Sequence, residues 1–251
     1  MPTAAILPVK RFTAAKQRLG ASVTESLRAD LARAMVGDVL SALHRCAAVE
    51  LTIVVTNEPS VAAAARYLGA TVIPDTAEDG QSAAVALGVA AAVREGFGRV
   101  LCIPGDCPAL DPREVEELLA DDGNDGRDAA TVVIVPDRHG TGTNGLLLAP
   151  PEAIPPSFGP GSCERHRELA RVAGAACRLA QPASLLLDID TGEDLAELRR
   201  RLAGERRHAP RTRAVLGPPP AESAPREDPG RRKDPERRDG AARAGKASRA
   251  A

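Results

Sequence analysis

The stretch RVLCIPGDCP, residues 99–108, contains an apolar run and the turn that ends it, and together they indicate the fold of this chain. Its first half is a short and nearly continuous apolar run, which is typical of a strand buried on both faces of a sheet. The run stops at Pro104-Gly105, and Asp106 follows directly. Because open α/β sheets bind their ligands where strands end, Asp106 is a candidate functional residue.

Strand-like and helix-like segments alternate on both sides of this stretch. Residues 51–55 and 131–135 are rich in β-branched residues and predict strands, and Pro112 marks the first turn of a helix. An amphipathic helix is predicted from apolar residues that recur every four positions: Leu27, Leu31, Met35, Val39 and Leu43. This alternation predicts one α/β domain over residues 1–203, with a mostly parallel, Rossmann-like sheet and helices on both faces.

The chain changes character at residue 204. Residues 204–251 carry 13 Lys/Arg against 7 Asp/Glu, whereas residues 1–203 carry 20 against 27. Seven prolines occur after residue 204, and only Val215 and Leu216 are apolar and larger than alanine. Such a segment cannot bury enough surface to offset its ordering entropy, so we expect a disordered Arg/Pro/Ala-rich tail.

Composition excludes several classes of protein. Aromatic residues make up 2% of the chain and tryptophan is absent, which argues against nucleic-acid binding by base stacking. No apolar run approaches the ~18 residues of a membrane span. The first residues lack the pattern of an export signal, and the five cysteines include no C-x-x-C pair. We therefore expect a reduced, cytoplasmic protein that does not associate with membranes.

A basic segment follows the first predicted strand, residues 4–9. It carries Lys10, Arg11, Lys16 and Arg18 but has neither a Walker loop nor a G-x-G-x-x-G pattern. In an acidic domain these cations form a local positive site that suits a polyphosphate. The alternative is a solvated basic loop without a ligand.

Two more acids follow the predicted strand at residues 184–187. Asp188 and Asp190 are two positions apart, so on an extended segment their side chains share one side. Close carboxylates repel each other unless a cation lies between them, and oxygen ligands suit Mg²⁺. The alternatives are that Asp106 only shapes its turn, and that Asp190 or Thr191 only caps the helix predicted over residues 193–202.

Two glycine-containing segments complete the candidate site. Residues 140–145 combine hydroxyls, an amide and flexible backbone, and residues 158–162 precede a predicted helix. Backbone N–H groups at a helix N-terminus bind anions, so Ser162 is a candidate for a phosphate or carboxylate. A basic loop, separated acids and an anion cradle are the parts that phosphoryl or nucleotidyl transfer needs. No partner is evident for the four histidines, which we interpret as incidental: His44, His139, His166 and His208.

The motifs occur in an order that resembles a known family. They are LPVK at 7–10, AKQRL at 15–19, DGQSAA at 79–84, PGDCP at 104–108, GTN at 142–144, FGPGS at 158–162 and DIDT at 188–191. Over about residues 3–202 the chain is similar to the 2-phospho-L-lactate / phosphoenolpyruvate guanylyltransferases of coenzyme F(420) biosynthesis. Wider relatives are the molybdenum-cofactor guanylyltransferase-like nucleotidyltransferases, whose fold is of the nucleotide-diphospho-sugar transferase type.

The resemblance implies a reaction in which a small phospho-acid, phosphoenolpyruvate or 2-phospho-L-lactate, attacks the α-phosphate of GTP and pyrophosphate leaves. The triphosphate would be held by Lys10, Lys16 and Arg18, and the guanosine would lie near Asp79, Gly80 and Ser82. Mg²⁺, expected as two ions, would be held by Asp106, Asp188 and Asp190. The phospho-acid would be held by Thr143, Gly159 and Ser162, with Asn144 close by. The predicted catalytic residues are Lys10, Lys16, Arg18 and Asp106.

Two other functions fit parts of the pattern. One is nucleotidyl transfer to a sugar phosphate or to molybdopterin, which would need room for a larger acceptor. The other is a nucleotide-binding regulator without turnover, whose basic tail would contact nucleic acid in a salt-sensitive way.

Overall fold

The computed structural model describes residues 1–12, 19, 24–121, 130–204 and 207–217. Its strands are β1 (Thr3–Val9), β2 (Leu51–Thr56), β3 (Thr71–Ile73), β4 (Arg99–Cys102), β5 (Thr131–Pro136), β6 (Thr143–Ala149) and β7 (Ala176–Leu179). Its helices are α1 (Glu25–Arg45), α2 (Pro59–Tyr67), α3 (Gln81–Arg94), α4 (Pro112–Ala120), α5 (Ser162–Val172), α6 (Gly192–Gly204) and α7 (Pro210–Leu216).

The seven strands form one sheet in the order β3-β2-β1-β4-β6-β5-β7. Only β6 runs antiparallel to its neighbours β4 and β5, and the other pairings are parallel. The predicted mostly parallel α/β sheet is therefore confirmed. The chain builds outward from β1 in one direction and then restarts at β4 on its other side. The ends of β1 and β4 consequently flank the crevice where such sheets bind ligands.

Each face of the sheet carries its own apolar core. Helices α1, α2 and α4 cover one face, and α3 and α5 cover the other. Gly88 of α3 lies directly against the side chain of Ile6 in β1, where an added Cβ would collide with it. Two-sided burial explains why β1, β4, β5 and β6 are almost continuously apolar rather than alternating.

Side chains cap the first turns of two helices. The Thr24 side chain accepts a hydrogen bond from the N–H of Leu27 and begins α1. Asp111 accepts from the N–H of Arg113 and begins α4, with Pro112 in its first turn. Within the described part of the chain, no helix combines the length and apolar character needed to cross a membrane.

The strand predicted at residues 184–187 is wrong. These residues form a turn in which the N–H of Leu185 donates to the carbonyl of Pro182 at 3.0 Å. The segment is apolar because Leu185 and Leu187 are buried in two different cores, although neither residue pairs in the sheet. The seventh strand is instead β7, an edge strand that pairs with β5 and was not predicted. Its mostly exposed residues carry little apolar signal.

The compact unit continues past the predicted boundary at residue 203. Residues 210–216 form α7, which packs against α1. The buried carboxylate of Asp38 accepts hydrogen bonds from the backbone N–H groups of Arg211 at 3.1 Å and Thr212 at 2.8 Å. The prediction of disorder immediately after the domain is therefore wrong for α7. Residues 218–251 lie outside the described residues.

Candidate functional site

A first cavity, of about 350 Å³, opens at the ends of β1 and β4. Its charged lining residues are Lys10, Asp75, Asp106 and Asp190. The remaining lining residues come from β1 and the segment after it, α1, the start of α3 and the turn after β4: Pro8, Val9, Phe12, Ala32, Met35, Val36, Gly80, Gln81, Ala84, Pro104 and Gly105.

A second cavity, of about 680 Å³, is more polar and lies beside the first. It is lined by side chains from the turn before β6, from β6 itself and from the segment that leads into α5. Its lining residues include all of the predicted acceptor and metal residues: Asp106, Thr143, Asn144, Gly159, Ser162, Asp188 and Asp190.

The two cavities share one boundary. Lys10, Gln81, Pro104, Asp106 and Asp190 line both of them. Among the described residues that line either cavity, Lys10 is the one cation, and it is exposed. Ligands in the two cavities would therefore meet beside one ammonium group and at least two carboxylates.

The loops that carry the acids are held together by hydrogen bonds. The N–H of Ile189 donates to the backbone carbonyl of Asp106 at 3.1 Å. The side-chain amide of Asn144 donates to the carbonyl of Leu185 at 2.9 Å and to a carboxylate oxygen of Asp188 at 3.2 Å. Asn144 therefore positions the loop that carries Asp188, and it also lines the second cavity, where we expect the acceptor to bind.

Burial raises the pKa of Asp188, and the charge of Asp106 raises it further. The hydrogen bond from Asn144 opposes this effect, whereas the charge of Asp190 adds to it. Its acidic neighbours thus disfavour the ionised form of Asp188, which is the situation that a bound cation relieves.

The acids do not form a complete metal cage by themselves. In the residues that the structure describes, no group of three or more His, Cys, Asp or Glu side chains is arranged to hold a metal ion. Mg²⁺ does not require such a cage, since it usually keeps several waters and uses one or two carboxylates together with substrate phosphates. Asp106 and Asp188 are half-buried and their charges repel each other. They therefore fit a site in which the phosphates of a bound substrate supply the remaining ligands of the ion.

The segment before α5 has a defined backbone shape. Gly159 and Gly161 adopt φ angles of 107° and 72°, which residues with a side chain rarely adopt. The guanidinium of Arg165 donates to the Ser157 hydroxyl and to the backbone carbonyls of Ser157, Phe158 and Pro160. Arg165 therefore holds residues 157–161, which we call the acceptor-side loop, together as one unit.

The start of α5 differs in detail from the predicted anion site. The backbone N–H of Ser162 donates to the carbonyl of Gly159 at 3.0 Å, and that of Cys163 donates to Thr141 at 3.1 Å. These two amides are thus already engaged within the protein. Ser162 is 1% exposed and lines the second cavity, so an anion there would meet its hydroxyl.

The interpretation of His166 as incidental is wrong. Its ring is fully buried and contacts the Thr143 hydroxyl at 3.1 Å and the N–H of Ser157 at 2.9 Å. Phe158 packs edge-on against the ring, with 5.1 Å between the ring centroids. Burial, and secondarily the charge of Arg165, lowers the pKa of His166 to about 4. The imidazole is therefore neutral at pH 7.

The residues expected near guanosine divide into three cases. Gly80 lines the first cavity, whereas Asp79 is exposed and does not line either cavity. The Ser82 hydroxyl accepts a hydrogen bond from the N–H of Phe158 at 2.8 Å, so it joins α3 to the acceptor-side loop. Sequence reasoning missed Asp75, which lines the first cavity and is 5% exposed.

Part of the predicted triphosphate site lies outside the described residues. This applies to Lys16 and Arg18, whereas Lys10 stands at the shared boundary. Arg11, the other cation of the segment, forms an exposed ion pair with Glu78 at 2.8 Å.

Similar folds are found among solved structures. A Desulfovibrio desulfuricans protein of the nucleotide-diphospho-sugar transferase type matches with a TM-score of 0.68 at 19% identity, over 86% of this chain and 94% of that one. The 4-diphosphocytidyl-2C-methyl-D-erythritol synthase of Anaerococcus prevotii matches with a TM-score of 0.53 at 12% identity, over 80% and 98% of the two chains. These matches show that the chain has the nucleotide-diphospho-sugar transferase type of fold.

Sequence comparison shows the family to which the chain belongs. The family model described as "Guanylyl transferase CofC like" matches residues 3–212, so the chain belongs to this guanylyltransferase family. A phosphoenolpyruvate guanylyltransferase of Conexibacter woesei is 47% identical over 216 residues, covering 86% of this chain and 96% of the relative. A 3-phospho-D-glycerate guanylyltransferase of Phenylobacterium zucineum is 36% identical over 205 residues, covering 80% and 92%.

Proposed function

We propose that the protein transfers a guanylyl group from GTP to the phosphate of a small phospho-acid, as a step of coenzyme F(420) biosynthesis. A phosphate oxygen of the acid attacks the α-phosphorus of GTP, the bond to the bridging oxygen of the β-phosphate breaks, and pyrophosphate leaves. The observation that carries the proposal is the shared boundary of the two cavities. It offers separate places for nucleotide and acceptor that meet at Lys10 and Asp106.

The chemistry asks little more of the protein than position and charge. The attacking phosphate is already anionic, so no base is needed to activate it. Lys10 at the boundary can neutralise charge on the triphosphate. Asn144 holds the loop of Asp188 in place. Two ligands fixed in adjoining cavities react as if within one molecule, which lowers the entropic part of the barrier.

Mg²⁺ fits the acids at this boundary. Asp106 and Asp190 at the boundary, with Asp188 beside them in the second cavity, would hold one or two ions together with the phosphates of the bound nucleotide. Bound Mg²⁺ would supply Lewis-acid neutralisation of the phosphate oxygens. We expect pyrophosphate release to stop on addition of EDTA and to return with excess Mg²⁺. Unchanged release in EDTA would contradict a metal requirement.

The lining of the second cavity favours a small anionic acceptor. Thr143 and Ser162 are short side chains with hydroxyl donors, and they line it together with Asn144 and Gly159. The relatives are named for phosphoenolpyruvate and for 3-phospho-D-glycerate. We propose phosphoenolpyruvate as the acceptor, because it is the acid named for the relative that is 47% identical.

The decisive experiment measures pyrophosphate release from GTP and Mg²⁺ with each candidate acceptor in parallel. The acceptors are phosphoenolpyruvate, 2-phospho-L-lactate and 3-phospho-D-glycerate, with a sugar phosphate as the larger comparison. We expect release only with a phospho-acid, and fastest with phosphoenolpyruvate. Release with none of the three acids would overturn the proposed function, and release with the sugar phosphate alone would assign a different acceptor class.

Asp75 offers a way to select guanine without an aromatic platform. Guanine presents two adjacent N–H donors on its pairing edge, and a carboxylate accepts both. One oxygen of Asp75 already accepts from the N–H of Glu78 at 3.1 Å, so the orientation of the carboxylate is set. Asp75→Asn replaces an acceptor with a donor, and we expect the preference for GTP over ATP to fall about 10- to 100-fold.

The measurement for Asp75→Asn is kcat/KM for GTP and for ATP with saturating acceptor. The control is Glu95→Gln, which removes an exposed carboxylate at the end of α3, away from both cavities. An unchanged nucleotide preference in Asp75→Asn would show that another group reads the base.

A further inference from the structure

His166 is a fully buried polar side chain to which the proposed reaction assigns no part. It projects from α5 and joins two other segments, the start of β6 through Thr143 and the acceptor-side loop through Ser157. It does not line the acceptor cavity itself, whereas Thr143 does. Any effect of the imidazole on a bound acceptor must therefore pass through its neighbours.

The hydrogen-bond partners determine which ring nitrogen carries the proton. The backbone N–H of Ser157 can only donate, so Nε2 of His166 must accept at 2.9 Å and is unprotonated. A neutral imidazole carries one N–H, and burial keeps this ring neutral because it lowers the pKa of His166 to about 4. The proton therefore sits on Nδ1, which lies 3.1 Å from Oγ1 of Thr143.

The direction of that hydrogen bond decides what Thr143 can offer a ligand. Since Nδ1–H donates, Oγ1 of Thr143 accepts, and the hydroxyl's own hydrogen is left to donate. Thr143 is 7% exposed and lines the acceptor cavity near Ser162 and Gly159. Accepting one hydrogen bond also polarises a hydroxyl and strengthens the bond that it donates.

We infer that His166 is a positioning residue that makes Thr143 an obligate hydrogen-bond donor toward an anionic oxygen of the acceptor. The inference rests on the proposed function and deepens it, because it names what selects for an anion at this point. The oxygen belongs to a carboxylate or a phosphate, and both are acceptors without a hydrogen to offer at neutral pH. A ligand group that must donate at this position is left with an unpaired contact.

Two substitutions separate the two hydrogen bonds of the imidazole. In His166→Gln the longer side chain places an amide oxygen near the position of Nε2, which keeps the bond from Ser157 and loses the donor to Thr143. In His166→Asn the shorter side chain places an amide nitrogen near the position of Nδ1, which keeps the donor to Thr143 and loses the Ser157 contact. The pair therefore distinguishes positioning of Thr143 from support of the loop.

We expect His166→Gln to raise KM for the phospho-acid about 10- to 100-fold while KM for GTP stays within about threefold. His166→Asn should keep KM for the acid within about threefold of the unsubstituted protein, even where it melts at a lower temperature. The reverse ranking of the two variants would show that the Ser157 contact matters and would overturn the inference. Equal KM values for the acid in both variants would overturn it as well.

A double substitution tests whether the effect runs through Thr143. Thr143→Val removes the hydroxyl, and we expect it alone to raise KM for the acid to a similar extent. Adding His166→Gln to Thr143→Val should then raise KM no further, whereas independent effects would multiply. Multiplying effects, or an unchanged KM in Thr143→Val, would overturn the inference.

The same data separate this inference from the proposed function. If the unsubstituted protein releases no pyrophosphate with any phospho-acid, the proposed function fails, and His166 loses its assigned role with it. If the unsubstituted protein turns over and His166→Gln has an unchanged KM for the acid, the inference alone fails.

Discussion

Asp106→Asn and Asp188→Asn are each expected to reduce guanylyl transfer about 10³-fold or more, which corresponds to about 4 kcal/mol of transition-state stabilisation. Both residues line the cavity that would hold the acceptor, and Asp106 also lines the nucleotide cavity. An amide has the size of a carboxylate but lacks its charge, so it cannot balance a cation beside the phosphates. The measurement is pyrophosphate release at saturating GTP, acceptor and Mg²⁺.

The same substitutions are expected to leave the fold intact, and Asp188→Asn should not lower the melting temperature. Burial and the charge of Asp106 raise the pKa of Asp188, so its ionised form is less favourable in the folded than in the unfolded chain. At neutral pH the carboxylate therefore costs stability, and a neutral amide removes that cost. The oxygen of the new amide can still accept the hydrogen bond from Asn144.

The matched control is Asp30→Asn, which changes an exposed carboxylate on α1 that pairs with Arg33. It should retain the activity of the unsubstituted protein, because exposed ion pairs contribute little. Full activity in Asp106→Asn or Asp188→Asn would remove that residue from the candidate metal site. A melting temperature that falls strongly in Asp188→Asn would instead assign Asp188 a structural role.

Truncation after residue 203 is expected to destabilise the protein by about 2–4 kcal/mol and to lower its melting temperature by roughly 5–15 °C. It removes α7, whose Val215 and Leu216 pack against a core formed by α1, α6 and the loop of Asp188. It also leaves Asp38 without the two backbone N–H donors that it accepts from. Truncation after residue 217 keeps all of these contacts and should leave stability unchanged.

A single substitution checks the cause of that loss. Asp38→Ala keeps the whole chain but removes the side chain that receives the first N–H groups of α7, and we expect a loss of about 1–2 kcal/mol. Thermal unfolding of the two truncations and of Asp38→Ala makes the comparison. Equal melting temperatures for the two truncations would mean that α7 contributes nothing to stability.

Most of the fold could be predicted because its signals are local. The run over residues 99–103, the four-residue repeat from Leu27 to Leu43 and the helix start at Pro112 each concern neighbours along the chain. The failures have one cause, which is that pairing in the sheet depends on contacts with distant segments and not on local apolar character. The leucines at residues 184–187 are as apolar as a strand but bury themselves in a turn, whereas β7 pairs with β5 although its residues are mostly exposed.

The candidate site followed from the sequence as a list of residues and not as an arrangement. Asp106 and Asp188 could be named because they follow apolar runs. The charge of Asp106 that raises the pKa of Asp188, and the hydrogen bond from Asn144 that opposes this effect, come from residues more than 40 positions away along the chain. Asp75 carried no local signal that separates it from an acid that only shapes a turn.

The sequence by itself determined the α/β class and the acids and hydroxyls that line the candidate site. These features depend on hydrophobic periodicity and on residues that stop strands or begin helices, which act over a few positions. Only the tertiary structure decided that α7 belongs to the domain, that two cavities meet at Lys10, and that His166 is joined to Thr143 and Ser157. Those facts depend on contacts between distant segments. A buried histidine or aspartate needs a hydrogen-bond partner, and that partner comes close only when the chain has folded.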